Sequence, residues 1–273
     1  MTTRRNIFYK QLFIGSEGTL GVVTRVLLRL FPLPTSCQTA LVALNDFSAV
    51  SGLLNEIRAN LSGTLSTFEW MCNNYFADVT GPGGHRSPIS REYPFYVVIE
   101  AEGFDPDADG DRFQALLERA MASGQVVDAV IASSERERKE IWQIREEVEP
   151  LLPAYLYDVS LPIKHMDAYA EVIEERLGRE YAQGKAWLFG HIADGNLHIF
   201  VGPFQSEEHG KDIDRIVYES LTDFSGSVSA EHGIGIKKKP WMKLNRTEDE
   251  VQLMRAIKKV LDPSNLLNPG KIV

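Results

Sequence analysis

Apolar positions along this chain follow two periods. From Leu12 to Leu30, runs of Val, Thr and Leu surround Gly15, Gly18 and Gly21, a pattern that predicts two strands around a glycine turn before Pro32 and Pro34 close the segment. Gln38 to Leu44 then reads as a strand. Asp46 opens a helix that aligns Val50, Leu53, Leu54, Ile57 and Leu61 on one face. Thr64 to Met71 predicts a partner strand, Gly81 to Gly84 a loop, Phe95 to Glu100 a strand, Arg112 to Ser123 a helix ended by Gly124, and Val126 to Ile131 another strand. This β-α-β, β-α-β order predicts an α+β fold, a ferredoxin-like split antiparallel sheet with helices on one face.

The second half has the same texture. Ser134 and Glu137 carry capping-box spacing ahead of Ile141, Ile144, Arg145 and Val148, and Pro150 and Pro153 end that helix. Asp158 to Ile163 reads as extended, Asp167 to Leu177 as a helix, Ala186 to Val201 as a hairpin and Glu207 to Phe224 as a helix. Thr247 and Glu250 cap a last helix ending near Leu261. No internal repeat or low-complexity segment is legible.

Composition changes the picture only by exclusion. The 273 residues, 44% hydrophobic and 25% charged, suffice for one large or two medium domains. A formal charge of −9 disfavours nucleic acid and anionic membranes, although Lys237, Lys238 and Lys239 form a local basic patch suited to a small anion. Cys37 and Cys72 are too few and too widely spaced for a disulfide framework or a thiolate zinc site, which points to a reducing compartment. With no apolar run near the roughly 18 residues of a membrane span, and no signal-peptide layout, the expectation is a cytoplasmic protein.

The candidate chemistry begins at Gly190-His191-Ile192-Ala193-Asp194-Gly195-Asn196-Leu197-His198. A two-residue turn at Asp194-Gly195 sets His191 opposite His198, with Cβ atoms about 5 Å apart. Both imidazoles and Asn196 then share one face, while Ile192, Leu197 and Ile199 face the core. Cross-strand histidines in a half-buried sheet are the bland alternative. Ser229-Ala230-Glu231-His232-Gly233-Ile234-Gly235 adds a carboxylate and an imidazole in a glycine-rich bend. Together His191, His198 and Glu231 form a two-imidazole, one-carboxylate set suited to a divalent ion, most often zinc. Such an ion lowers the pKa of a substrate hydroxyl, and His232, beside the ligand Glu231, is the candidate general base. If hydride then leaves carbon, a redox cofactor must take it, and no Gly-x-Gly-x-x-Gly lies between a strand and a helix here.

Four stretches in order resemble the FAD-linked oxidases of the vanillyl-alcohol-oxidase type, in the branch of D-lactate, glycolate and D-2-hydroxyglutarate dehydrogenases. They are Leu12 to Gly21, Gly190 to His198, Ser229 to Gly235, and Asp262-Pro263 through Asn268-Pro269-Gly270-Lys271. The resemblance implies oxidation of a D-2-hydroxy acid by hydride transfer to FAD. It gives flavin-contacting roles to Gly15, Ser16, Glu17, Gly18, Thr19, Gly21 and Asn268, a site role to Asn196, and a substrate-carboxylate grip to Arg145, for which a solvated helix arginine is the plainer alternative. It also implies residues 1–36 as a remnant of the FAD-binding domain, 37–225 as a substrate cap and 226–273 as an active-site segment. In the D-2-hydroxyglutarate branch a threonine and a lysine also hold the substrate; Glu149 and Leu156 stand at those positions, and neither is an anion donor. Lys164 is a candidate compensating charge. The pyrophosphate loop of the family is not found ahead of Leu12, so an N-terminal FAD-binding domain or partner chain is expected to complete the cofactor site, and a homodimer is compatible. Two other classes stay open: a non-catalytic module binding metal and hydroxy acid without flavin, and a metal-dependent hydrolase, which leaves the flavin-loop resemblance unexplained.

Overall fold

The computed structural model describes residues 9–61, 63–181 and 184–273; the first eight positions, on which the leader argument partly rests, lie outside the described residues. Seven strands form one sheet: β1 (Ser36–Leu44), β2 (Leu65–Cys72), β3 (Phe95–Gly103), β4 (Asp128–Ile131), β5 (Tyr155–Ser160), β6 (Lys185–Gly190) and β7 (Asn196–Gly202). Their spatial order is β4-β1-β3-β2-β6-β7-β5, and every neighbouring pair is antiparallel. The helices are α1 (Phe47–Asn60), α2 (Asn73–Val79), α3 (Pro106–Ala122), α4 (Glu135–Glu146), α5 (Met166–Glu180), α6 (Glu207–Ser220) and α7 (Glu248–Leu261).

The expected α+β, ferredoxin-like sheet is present, and its topology is duplicated. β1-α1-β2-β3-α3-β4 is followed by β5-α5-β6-β7-α6 in the same strand arrangement, with β2 meeting β6 at the seam. The fourth-strand place of the second unit is held by one antiparallel bridge, Ser160 to Ser227. This repeat lies in connectivity rather than in residue identity, which is why no sequence period betrays it.

Two apolar layers enclose the sheet. One face packs against α1, α3, α5 and α6 through residues such as Val50, Leu53, Ile57, Phe113, Tyr169 and Ile213. Burying each such side chain contributes roughly 1.5–3 kcal/mol. The other face carries, in addition to the expected single layer, α2 and α4, whose Tyr75, Phe76, Ile141 and Ile144 pack against Leu41, Tyr96, Val98 and Phe189. Local signals hold at the caps. Thr247 and Glu250 make a full capping box, whereas Ser134 accepts from Glu137 N–H at 3.3 Å and the Glu137 carboxylate reaches back to Ser133 N–H instead. α3 starts six residues before the expected Arg112, because Asp105 caps it and Pro106 occupies its first position.

Two expectations are corrected. The strands expected between Leu12 and Leu30 are not formed: Tyr9–Leu12 is a 3-10 turn, and residues 22–34 pair with no described strand. Val22, Val26, Leu27, Leu28, Leu30 and Phe31 are all exposed. Their β-propensity is real, but a strand needs a neighbour to satisfy its backbone groups. The hairpin is the second correction. β6 ends at Gly190 and β7 begins at Asn196, joined by residues 191–195 with a 3-10 turn and Gly195 at φ +74°. His198 therefore pairs with Phe189, not with His191. Gly190 permits this exit: a Cβ there would meet Asn196 O at 2.7 Å.

Candidate active site

Glu69 on β2, Arg145 on α4, Phe189 on β6 and His198 on β7 converge on the sheet face that α2 and α4 cover. His191 reaches the same place from the turn after β6. Its ring centroid lies 5.5 Å from that of His198, and its Nε2 lies 3.7 Å from Glu231 Oε1. One ligand atom from each of His191, His198 and Glu231 falls within 4.8 Å of the others. The expected trio is thus assembled, although through a turn rather than a ladder. The His232 ring is stacked beside His198, with 6.1 Å between centroids and 26° between planes.

Behind the trio stands a carboxylate that sequence reasoning missed. Glu69 Oε1 lies 2.5 Å from His191 Nδ1, and its Oε2 accepts from Arg145 Nε at 3.0 Å and pairs with Arg145 Nη2 at 2.8 Å. A carboxylate on Nδ1 fixes the ring and directs Nε2 at Glu231, the outer-shell arrangement that tunes metal-binding imidazoles. The Arg145 guanidinium also lies 4.8 Å over the Phe189 ring, and Tyr75 donates to the Arg145 carbonyl at 2.8 Å. Arg145 is buried, so its reading as a solvated helix arginine does not hold.

The electrostatics follow from these contacts. Burial works against ionisation of Glu69, but the His191 hydrogen bond and the Arg145 charge outweigh it and hold the carboxyl below its usual range. The same hydrogen bond raises His191. Burial, reinforced by the Arg145 charge, drives His198 down to about 4, which keeps its nitrogen lone pair free near neutrality. Two imidazoles and a carboxylate with such a partner behind them match what a divalent cation requires.

Asp158 on β5 builds the other wall. Its Oδ2 accepts the backbone N–H groups of Ala230 (3.2 Å), Glu231 (3.0 Å) and His232 (3.0 Å) and pairs with Lys238 Nζ at 3.2 Å. Burial opposes its ionisation, yet these amides and Lys238 keep it ionised. Lys238 is buried and Lys239 donates to Gly270 O, so the basic patch expected from the lysine run is broken up by internal bonds. A lone acid within each strand, in Phe68-Glu69-Trp70 and Tyr157-Asp158-Val159, was the available signal for both missed carboxylates.

The remaining candidates sit as follows. Asn196 is buried on β7 with neither amide atom hydrogen-bonded among the described residues. Lys164 is exposed on the turn Ile163–His165, and no hydrogen bond or ion pair among the described residues joins it to the cluster. Gly15, Glu17 and Gly18 all take positive φ, and the Glu17 carboxylate accepts from Ile234 N–H (2.6 Å) and Gly235 N–H (2.8 Å). Ser16 and Thr19 hydroxyls bond within their own turn, and the Gly21 position abuts the Phe13 ring. Asn268 donates to Glu17 O at 2.6 Å. Three of the four sequence stretches are thereby tied into one strip.

A duplicated antiparallel sheet, helix-covered on both faces, carries an imidazole and carboxylate cluster at its seam. The chain belongs to the family of FAD linked oxidases, C-terminal domain, which matches residues 33–272. It is similar to D-2-hydroxyglutarate dehydrogenase of Bos taurus (38% identical, covering 97% of this chain and 49% of that protein) and of Arabidopsis thaliana (35%, 97% and 48%). It is likewise similar to that of Stutzerimonas stutzeri (32%, 96% and 58%). The chain thus spans about half the length of the curated relatives it matches. Solved structures of alkyldihydroxyacetonephosphate synthase (TM-score 0.63, 13% identical, 99% of this chain and 51% of that one) and of 4-ethylphenol oxidase from Gulosibacter chungangensis (0.60, 13%, 90% and 55%) share the fold. The cytoplasmic expectation is overturned by the bovine and Arabidopsis relatives, which are named as mitochondrial. No helix among the described residues is long and apolar enough to cross a membrane.

Proposed function

We propose that this chain forms the substrate side of an FAD-dependent dehydrogenase that oxidises a D-2-hydroxy acid to its 2-oxo acid. The observation that carries the reading is the convergence of His191, His198 and Glu231 within 4.8 Å, with the His232 ring beside them. In this reading residues 37–225 are the substrate cap, 226–273 the active-site segment, and 1–36 the end of the flavin domain, whose remaining part is the partner. Gly15 to Gly21 and Asn268 form the strip against the flavin; the positive φ of Gly15, Glu17, Gly18 and Asn268 and the internal side-chain bonds suit a close backbone approach.

His191, His198 and Glu231 are the residues that would hold a divalent cation, with zinc the best match to this donor set. When bound, the cation supplies Lewis-acid polarisation of the substrate hydroxyl, and the flavin supplies a two-electron acceptor for the α-hydride. The chain's own residues do the rest. Arg145 is anchored on Glu69 through Nε and Nη2, and its guanidinium is assigned to the substrate carboxylate. His232 takes the hydroxyl proton onto a ring nitrogen, and Asp158 anchors the His232 backbone through its N–H at 3.0 Å. Asn196, whose buried amide has no hydrogen-bond partner among the described residues, faces the substrate side of β7.

The test is anaerobic mixing of the FAD-loaded and zinc-loaded protein, this chain together with its flavin-binding half, with D- and L-2-hydroxy acids. Bleaching of the flavin by the D isomers is expected. Zinc and hydroxy-acid binding with no bleaching by either isomer would support the non-catalytic module instead.

A further inference from the structure

Beside His198 and His232 the structure has a cavity of about 260 Å³. Its walls include Leu156, Phe189 and Phe200. Leu156 lies directly across the β5-β7 ladder from Phe200, and the Phe200 ring meets Phe189 edge-on at 5.0 Å. Phe189 in turn touches His198, at 5.2 Å between ring centroids. An apolar wall therefore begins where the imidazole cluster ends. Leu156 is 53% exposed, so its side chain is not spent on the protein core.

Among the described residues lining this cavity Lys238 is the one Lys or Arg, and its ammonium is already bonded. Its ammonium bonds to Asp158 O (2.9 Å), Asp158 Oδ2 (3.2 Å) and Ser229 Oγ (3.0 Å), which uses all three of its protons. Asp158 also lines the cavity, and its Oδ1 has no hydrogen-bond partner among the described residues. A second substrate carboxylate placed here would lose water, find no unpaired Lys or Arg among the described lining residues and face Asp158. An alkyl or aryl group would instead exclude water from Leu156 and the two phenylalanine rings.

We propose that the 2-hydroxy acid of this site carries an apolar side chain of several carbons, branched or aromatic, received between Leu156, Phe189 and Phe200. This rests on the reading given under Proposed function. Each buried carbon is worth about fourfold in affinity, so three carbons beyond lactate amount to a preference on the order of fiftyfold.

The experiment compares D-lactate, D-4-methyl-2-hydroxypentanoate, D-3-phenyl-2-hydroxypropanoate and D-2-hydroxyglutarate as reductants of the FAD-loaded and zinc-loaded protein. Dissociation constants of the matching 2-oxo acids are measured alongside. The expected order places the branched or aromatic acid first, lactate on the order of fiftyfold behind it, and 2-hydroxyglutarate last. A wild-type protein that takes 2-hydroxyglutarate as well as or better than the apolar acids overturns the proposal while leaving the dehydrogenase reading intact. Failure of every acid both to bind and to reduce flavin overturns that reading and this proposal with it. Leu156→Lys, at an exposed position that tolerates charge, is expected to narrow the preference at least about tenfold, the effect of one ion pair within a site. An unchanged ratio in that variant would remove Leu156 from the specificity wall.

Discussion

Asp158 accepts the backbone N–H of His232 at 3.0 Å, across 74 residues of sequence, and so fixes the loop that carries Glu231 and His232 to the end of β5. The same oxygen binds Glu231 N–H and the buried ammonium of Lys238. One carboxylate thereby sets the position of the proposed ligand Glu231, the proposed base His232 and the Lys238 ammonium. Asp158→Asn keeps the shape and removes the charge, leaving Lys238 unpaired. Breaking a buried pair of this kind costs about 3 kcal/mol or more. Urea unfolding of the variant is expected to show that loss, and an unchanged midpoint with an unchanged slope would mean that the pair contributes nothing.

Glu69 touches His191 but belongs to no ligand trio, so its effect on a bound cation is indirect. Glu69→Gln is expected to weaken zinc binding by about 10-fold to 100-fold, the usual effect of an outer-shell partner. His198→Ala, which removes a ligand, is expected to weaken it further. Competition titration against a chromogenic chelator gives both numbers. Equal affinities for Glu69→Gln and wild type would show that the Glu69-His191 contact does not orient the ring.

His232 is assigned the proton and not the metal. Substitution by Ala is expected to preserve the zinc content while slowing flavin reduction by about 10²-fold to 10⁴-fold, the usual contribution of a general base. Rapid-mixing spectroscopy with metal analysis on the same sample separates the two. A variant that lost zinc as well as rate would place His232 among the ligands.

Away from the site, Glu100 is a buried acid bound by Arg138 (2.8 and 3.0 Å), Trp142 Nε1 (2.9 Å) and Thr39 Oγ1 (2.7 Å). Burial opposes its charge, but these donors hold its carboxyl below the ordinary value of 4.5. Because the folded-state value is depressed, its stabilisation is complete above the ordinary value and disappears as pH falls through the folded value. Glu100→Gln should therefore lie below wild type in stability by a constant margin from pH 6 to 8, in order-of-magnitude terms. That margin should shrink as the pH is taken below 4.5. Urea midpoints across this range provide the check, and a margin that widened on acidification would reverse the assignment.

How much of this was legible in the sequence depended on the range over which each signal acts. Alternation through Asn196-Leu197-His198-Ile199 placed His198 on the sheet face opposite Leu197 and Ile199 correctly, because strand parity is a local property. His191 entered the site although its pairing partner was misassigned, since a five-residue exit from Gly190 returns the ring to within 5.5 Å of His198. Glu69 and Asp158 carry no local mark of their partners, which lie 122 and 74 positions away along the chain. The Leu12–Leu30 stretch predicted two strands around a glycine turn, yet its second half pairs with no described strand and is exposed, because strand formation is settled by a neighbour. Asp105-Pro106 was a readable helix start overlooked in favour of the apolar face that begins at Phe113.

The central claim is that two imidazoles and one carboxylate share a cation, and X-ray absorption at the zinc edge of the zinc-loaded protein tests it most directly. The account predicts two imidazole nitrogens at about 2.0–2.1 Å and a carboxylate oxygen at about 2.0–2.2 Å, with the remaining position held by solvent or substrate. A coordination shell of oxygens alone, with no imidazole scattering, would contradict it.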